Sequence, residues 1–412
     1  MSGRIVRKIV SRLIRKMLVT GICWFIIIPI ATIIPRKKNS ILFMGKNGGK
    51  LIDNAKYLYL YLYELNAPKI DICFITKDRE AYAELEARNM QVVRHPSLLS
   101  YFKLLQSEVI FVDSDISIAT NYLLYYSKKI QLWHGVGFKR LEADREGEIK
   151  SIKSAFLKCL YKRLQFQPTY DLFVSTSQFY TENVFSTIFS YKNCLNAGYP
   201  RNDVMFRELS QSDLLGTDTE TINKVRQMKD NGYKIILYAP TFRDCGGGPQ
   251  EDGALDFSEL IKFTETHNLV FVMKLHPSCK NVQGVEGSQN IIQYGSTQDI
   301  YPLFSLVDIM VTDYSSIYMD FILQDKPVIF FAYDYEKYLE KDRDIQFDYD
   351  WITPGPKCFT QSELQQAIIQ SLNGVDSFAG KRREISQIAF EYHDGNASQR
   401  IWNYIKNNYL GN

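Results

Sequence analysis

Five histidines occur among 412 residues, few enough to weigh one by one as proton carriers. His134 lies in Gln131-Leu132-Trp133-His134-Gly135-Val136-Gly137, just past an apolar run, with Gly135 and Gly137 leaving room for a ligand to come close. An imidazole so placed can take a hydroxyl proton near neutral pH. The alternative is a ring packed by Trp133 to hold the loop. His276 ends the run Val270 to Leu275 and precedes Pro277. It either donates to a phosphate oxygen or caps a strand end. His95, also before a proline, reads as structural, His267 as a solvent-facing helix end, and His393 is open.

Anion-binding chemistry is the second theme. Val311-Thr312-Asp313-Tyr314-Ser315-Ser316 reads as a buried strand turning abruptly into a helix, with Ser315 or Ser316 as N-cap. The free N–H groups of such a helix start attract phosphates. Tyr238-Ala239-Pro240-Thr241-Phe242-Arg243-Asp244 leaves another predicted strand, and the Arg243 guanidinium fork can hold a diphosphate without a metal. Arg201, in Gly198-Tyr199-Pro200-Arg201-Asn202-Asp203, either binds phosphate or pairs with Asp203. The loop Gly45-Lys46-Asn47-Gly48-Gly49-Lys50 lacks the spacing of a phosphate loop, because Leu51 follows Lys50. It reads as a strand-to-helix turn at the acceptor side. No cluster has metal-ligand spacing and no cofactor is firmly predicted, while assistance by Mg2+ is left open without a motif for it. Charge neutralisation is therefore expected from His, Arg and helix termini.

The elements that must position these groups alternate between strand and helix. Ile41 to Gly45, Asp71 to Thr76, Gln91 to Arg94, Val109 to Asp113, Ile130 to Trp133 and Asp171 to Ser175 read as strands, with amphipathic segments between them. A second set follows: Ile235 to Ala239, Leu269 to Lys274, Asn290 to Tyr294, Asp308 to Thr312 and Pro327 to Ala332. Short apolar runs with helical crossovers imply parallel, doubly wound sheets. The expectation is an α/β chain of GT-B type, two Rossmann-like domains facing a cleft. Residues 39–207 form the acceptor-side domain, 208–232 a polar linker and 233–380 the donor-binding domain. Residues 381–412 carry a C-terminal helix, roughly Lys381 to Tyr409, packing back on the first domain.

Composition narrows the class. Residues 1 to 52 hold eleven Lys and Arg and no Asp or Glu. The remainder therefore has 49 less 11, or 38, basic residues against 46 acidic ones, a balance of −8. A folded surface of that sign argues against nucleic acid as a partner. Cys23, Cys73, Cys159, Cys194, Cys245, Cys279 and Cys358 are odd in number and never spaced CxxC, so neither a disulfide framework nor a zinc site is expected. Residues 1–38 form a membrane-associating segment. Ile5, Ile9 and Leu13 line one side of a basic helix, and Met17 to Pro35 is apolar until Arg36-Lys37-Lys38. Cations at both ends favour a monotopic or re-entrant anchor over a single crossing, and Pro29 is expected to interrupt the helix. Ile149, Ile152, Phe156, Leu160 and Leu164, beside five Lys and Arg, read either as a second membrane contact or as a core-packed helix.

Trp133-His134-Gly135, Gly198 to Asp203, Tyr238 to Arg243, Lys274-Leu275-His276-Pro277 and Thr312 to Ser316 together resemble the CDP-glycerol glycerophosphotransferase family of teichoic acid synthesis. Tyr335 to Arg343 followed by Pro354-Gly355-Pro356 is similar to that family's C-terminal region, so the resemblance spans roughly residues 40 to 405. It implies a GT-B enzyme at the cytoplasmic face of the bacterial membrane, peripheral or monotopic. That enzyme would transfer a polyol phosphate from its CDP ester to a polyprenyl-diphosphate-linked acceptor, releasing CMP. By the same resemblance His134 and His276 are catalytic. Thr241, Arg243, Asp313, Ser315, Ser316 and Pro277 meet the donor, and Gly135, Gly137 and Arg201 face the acceptor. Its partners would be CDP-glycerol, the lipid-linked acceptor and anionic lipid, with homo-oligomer formation left open. Gly135-Val136-Gly137-Phe138-Lys139 departs from the Thr-Pro that many relatives carry after the glycine, which leaves acceptor and polyol open. Ribitol phosphate transfer and nucleotide-sugar glycosyl transfer are the alternatives.

Overall fold

The computed structural model describes residues 3–137, 168–241, 253–275, 284–285, 287–336 and 346–411. They divide into two compact units. The first comprises the described parts of Met1–His134, Leu141–Asp203 and Asn396–Asn412, and the second those of Gly135–Arg140 and Val204–Gly395.

The first unit is organised by seven strands: β1 Ser40–Met44, β2 Asp71–Thr76, β3 Val92–Arg94, β4 Val109–Val112, β5 Lys128–Gln131, β6 Thr169–Ser175 and β7 Ser190–Asn196. Their order is β3-β2-β1-β4-β5-β6-β7 and every pairing is parallel. Ile41, Leu42, Phe43, Val109, Ile110 and Phe111 have no exposed surface, as a sheet covered on both faces requires. The order reverses between β1 and β4. At such a switch point the loops leaving the two strands part and open a crevice at the C-terminal edge. Gly45-Lys50 follows β1 and Asp113 follows β4. Gly49 is required there: a Cβ on it would lie 2.6 Å from the Ile75 carbonyl oxygen and 2.8 Å from Thr76 Cα.

The second unit repeats the plan with six strands: β8 Lys234–Tyr238, β9 Leu269–Met273, β10 Ile291–Gln293, β11 Ile309–Thr312, β12 Val328–Phe331 and β13 Lys357–Cys358. Their order is β10-β9-β8-β11-β12-β13, again parallel. Here the reversal falls between β8 and β11, so Thr241 and Asp313 leave the sheet on either side of it. All eleven expected strands are present. The additional β7 and β13 are edge strands, and β7 is half-exposed and polar, which hid it.

Three expectations are revised. The helical path continues through Pro29: Gly3–Ile22 runs into a π-helical turn Cys23–Ile27 and then Ile28–Ile33. In that wide turn the Ile28 N–H bonds back to the Cys23 carbonyl, which makes room for the proline ring. The stretch Ile14–Ile33 is long and apolar enough to cross a membrane by length and composition, and 11% of it is buried. Residues 208–232 are not a plain connection, because they contain the helix Thr219–Asp230, with Asp218 as N-cap and Ile222 and Val225 buried in the second unit. The single C-terminal helix is two, Ala379–Ala389 in the second unit and Ala397–Asn408 in the first. The basic stripe from Ile149 to Leu164 lies outside the described residues.

Candidate active site

His134 sits three residues past β5, and its approach is set by Trp133, a non-glycine residue in the left-handed region at φ 55°. That conformation is uncommon for a bulky side chain and persists only where neighbours fix it. Here they do: the Trp133 N–H donates to Gln131 Oε1 at 2.9 Å, and its carbonyl accepts from Asn54 Nδ2 at 2.9 Å. The turn lays the imidazole against the indole, with ring centroids 4.0 Å apart.

His134 Nδ1 is 2.8 Å from the backbone oxygen of Asp113. A carbonyl oxygen only accepts, so Nδ1 carries the hydrogen and Nε2 of the neutral ring keeps its lone pair. Burial, followed by the nearby Lys46 charge, pushes the His134 pKa down to about 4. The ring is therefore neutral at pH 7, which is the form a general base needs.

The helix Asp53–Leu65 supplies the layer beneath. Asp53 is also left-handed, at φ 65°. Its Oδ1 pairs with Arg201 Nη1 at 2.6 Å, and the same nitrogen donates to the His134 carbonyl at 2.7 Å. Asn54 Oδ1 accepts from the Arg201 N–H at 3.2 Å, and Asp113 Oδ2 accepts from the Ala55 N–H at 3.2 Å. Burial raises the Asp113 carboxyl well above the usual range, reinforced by Asp53. Burial also works against Asp53, but Arg201 and Lys46 hold its carboxyl below that range. The two buried carboxyls are thus pushed in opposite directions.

Arg201 is consequently interior, 2% exposed, and holds the backbone of His134. The Arg201–Asp203 pairing considered from sequence does not form. Asp203 instead accepts from the N–H groups of Ala397 and Ser398, each at 2.9 Å.

In the second unit Asp313, fully buried, ties the two diverging loops together. Its Oδ1 accepts from the Thr241 N–H at 2.7 Å and the Tyr314 N–H at 2.5 Å, while its backbone oxygen accepts from Tyr349 Oη at 3.3 Å. Ser316 precedes the helix Ile317–Phe321 with no side-chain cap bond, and Ser315 Oγ receives the Ile317 N–H only at 3.5 Å. The expected serine cap is thus reduced to the long Ser315 contact, while Asp313 serves the Thr241 and Tyr314 amides outside the helix. Thr241, Asp313, Ser315 and Ser316 share one sheet edge. Arg243, His276 and Pro277 lie outside the described residues. Lys274, just before them, is anchored to the carbonyls of Gly295 and Gln298.

Residues 26–407 match the family described as CDP-Glycerol:Poly(glycerophosphate) glycerophosphotransferase. The chain belongs to that family. It is 30% identical over 318 residues to the teichoic acid glycerol-phosphate primase of Bacillus subtilis, covering 74% of this chain and 76% of that protein. It is 28% identical to the teichoic acid poly(glycerol phosphate) polymerase of the same species and 28% identical to the teichoic acid ribitol-phosphate polymerase TarL of Staphylococcus aureus. Those matches take in 82% and 89% of this chain but span 45% and 62% of the two polymerases. Among solved structures, the wall teichoic acid polymerase TagF, as a histidine-to-asparagine variant soaked with CDPG, aligns with a TM-score of 0.70 and 22% identity. That alignment covers 99% of this chain and 98% of that one. The likeness shows a shared α/β fold.

Within the candidate site, sequence reasoning missed Lys46, Asp53, Asn54 and Asp113. Asp113 had a usable signal, a carboxylate closing a buried strand at a switch point. Asp53 and Asn54 had none, because their partner Arg201 is remote in the chain. Two other histidines are structural: His95 Nδ1 meets Ser100 Oγ at 2.9 Å and His393 Nε2 meets Ser386 Oγ at 3.0 Å.

Proposed function

We propose that the protein transfers glycerol phosphate from CDP-glycerol to a polyprenyl-diphosphate-linked acceptor in teichoic acid synthesis, at the cytoplasmic face of the membrane. The two units would act as the halves of a GT-B enzyme. The observation that carries this reading is the His134 geometry, a neutral ring with Nδ1–H bound to the Asp113 carbonyl and Nε2 left as the basic atom.

The acceptor hydroxyl gives its proton to His134 Nε2 as its oxygen attacks the β-phosphorus of the donor. The bond from that phosphorus to the bridging oxygen breaks, and CMP departs with the electron pair. Arg243 and His276 neutralise the diphosphate, with Thr241, Ser315 and Ser316 beside it and Asp313 holding their loops. Positioning and charge stabilisation supply most of the acceleration. Gly135 and Gly137 leave the acceptor room next to His134. The apolar helix through Ile33 rests in the membrane that carries the acceptor.

Ribitol phosphate is the second reading, favoured by the comparable identity to the ribitol-phosphate polymerase. Parallel incubation of a synthetic lipid acceptor with CDP-glycerol and CDP-ribitol, followed by product mass and CMP release, decides between them. Release of a nucleoside diphosphate from a nucleotide sugar would replace both with glycosyl transfer. His134→Ala abolishes turnover while sparing CDP-polyol binding. Near-normal turnover in that variant removes His134 as the base.

A further inference from the structure

A cavity of about 560 Å³ opens in the first unit on the side of the sheet away from His134. Lys128 is the first residue of β5 and Lys192 the third of β7, so the cavity sits at the N-terminal edge of the strands. His134 and Asp113 follow the C-terminal ends of β5 and β4. With a strand rise of about 3.3 Å per residue, the four residues of β5 keep the two edges some ~10 Å apart. A donor diphosphate beside His134 does not reach this cavity.

Four cations line it, Arg36, Lys128, Lys129 and Lys192, against one carboxylate, Asp171. Asp171 is already engaged: Oδ1 takes the Lys192 ammonium at 2.8 Å and Oδ2 accepts the Lys129 N–H at 3.0 Å. Lys128 stands 3.8 Å from the same carboxylate. Among the described residues the Lys129 ammonium bonds an amide oxygen, Asn121 Oδ1, at 3.1 Å. Burial presses its pKa down, and the Lys192 charge adds to that against Asp171. An added anion would relieve this excess of positive charge.

The position of Arg36 indicates which anion. It is the first cation after the apolar helical stretch ending at Ile33, and it lines the cavity. Its Nη1 donates to the Tyr126 carbonyl at 3.1 Å, and its guanidinium lies 5.6 Å from the centre of the Tyr126 ring. On the helix, Phe25 is 84% and Ile33 80% exposed. Trp24 ties the helix to the unit through a 3.1 Å bond from Nε1 to Tyr122 Oη. Tyr125 and Tyr126 are exposed beside the cavity. Apolar surface, then tyrosines, then clustered cations is the sequence of environments a lipid presents from acyl chain to headgroup.

We propose that this cavity binds the phosphate of an anionic phospholipid headgroup. The proposal rests on the reading that residues 14–33 lie in the membrane, and it adds a defined headgroup site to that anchor. The apolar helix gives affinity for any bilayer, and the cavity gives preference for an anionic one.

The test uses the full chain and vesicles of phosphatidylcholine alone or mixed with phosphatidylglycerol. The wild type binds both and prefers the mixed vesicles. Lys128→Gln/Lys192→Gln loses about 10- to 30-fold of affinity for mixed vesicles and none for pure phosphatidylcholine. The charge-matched control Lys234→Gln/Lys262→Gln, altered at two exposed lysines of the second unit, keeps the preference. Thermal melts confirm that both variants fold. An equal loss in the control makes the effect diffuse charge, and a preference retained in the cavity variant removes the site; either outcome overturns the proposal. If the wild type binds neither vesicle, the membrane reading itself fails. If the cavity variant keeps vesicle binding but loses inorganic phosphate binding by calorimetry, the occupant is a free anion and the lipid assignment falls.

Discussion

Arg201 and Asp53 form an ion pair at 2.6 Å inside the first unit, joining residues 148 positions apart directly beneath His134. Their side chains are 3% and 11% exposed. Removing one partner strands a buried charge, a loss of about 3–5 kcal/mol. Arg201→Met and Asp53→Asn should each lower stability by roughly that amount in urea unfolding, and the double variant by much less than the sum. Turnover should fall in all three, because the Arg201 donor to the His134 carbonyl is lost or displaced. Additive stability losses would show the pair to be uncoupled.

The pH profile follows from His134. Its folded pKa of about 4 lies below the ordinary histidine value near 6.5, so between these pH values the unfolded chain binds more protons than the native one. This group's contribution is fully present above about pH 6.5 and is lost as pH falls toward 4. The acid limb of kcat/KM in the free enzyme should accordingly fall below pH 6.5, the value for an unperturbed histidine. Lys46→Met, which removes the second cause of the depression, should move that limb upward. An imidazole titrating by NMR at or above its ordinary value would remove the neutral-base assignment.

Asp313 and the two serines should separate cleanly. Asp313→Ala leaves the Thr241 and Tyr314 amides without their acceptor, at a cost of about 1–3 kcal/mol, and loosens both loops. Ser315→Ala/Ser316→Ala, with only the long Ser315 contact to the Ile317 N–H to lose, should leave the melting temperature almost unchanged. It should raise KM for the CDP-polyol several-fold with a smaller effect on kcat. Unchanged KM in the double serine variant would take these residues out of the donor site.

Asp203 caps a helix that begins 194 residues later in the chain, while Asn396 makes no side-chain cap of its own. Asp203→Ala should cost about 1–2 kcal/mol and speed amide exchange at Ala397 and Ser398 selectively. Exchange rates at those amides matching the wild type would refute the remote cap.

The interior strands were legible because their residues are apolar on both faces, as in Ile235 to Tyr238. Edge strand β7 carries Ser190, Lys192 and Asn193 on a half-exposed path and resembles a loop in one dimension. The break near residue 390 was signalled by Asp394-Gly395-Asn396, yet the helical pattern on either side masked it. His134 stood out by residue type and by the glycines after it. What holds it did not, since Asp53, Asn54 and Arg201 meet only through the order of the strands. The serine cap is weak for a local reason: Ser316 makes no side-chain cap and Ser315 reaches the Ile317 N–H only at 3.5 Å, a matter of geometry that residue type does not show.

Asn396–Asn412 belongs to the first unit although the second unit intervenes in the chain. During synthesis the second unit can therefore form its six strands while the first still lacks the helix that Asp203 anchors. The first unit, which holds His134, closes only once that later segment has emerged from the ribosome. Chains stalled before residue 396 should carry a folded second unit and an incomplete first one.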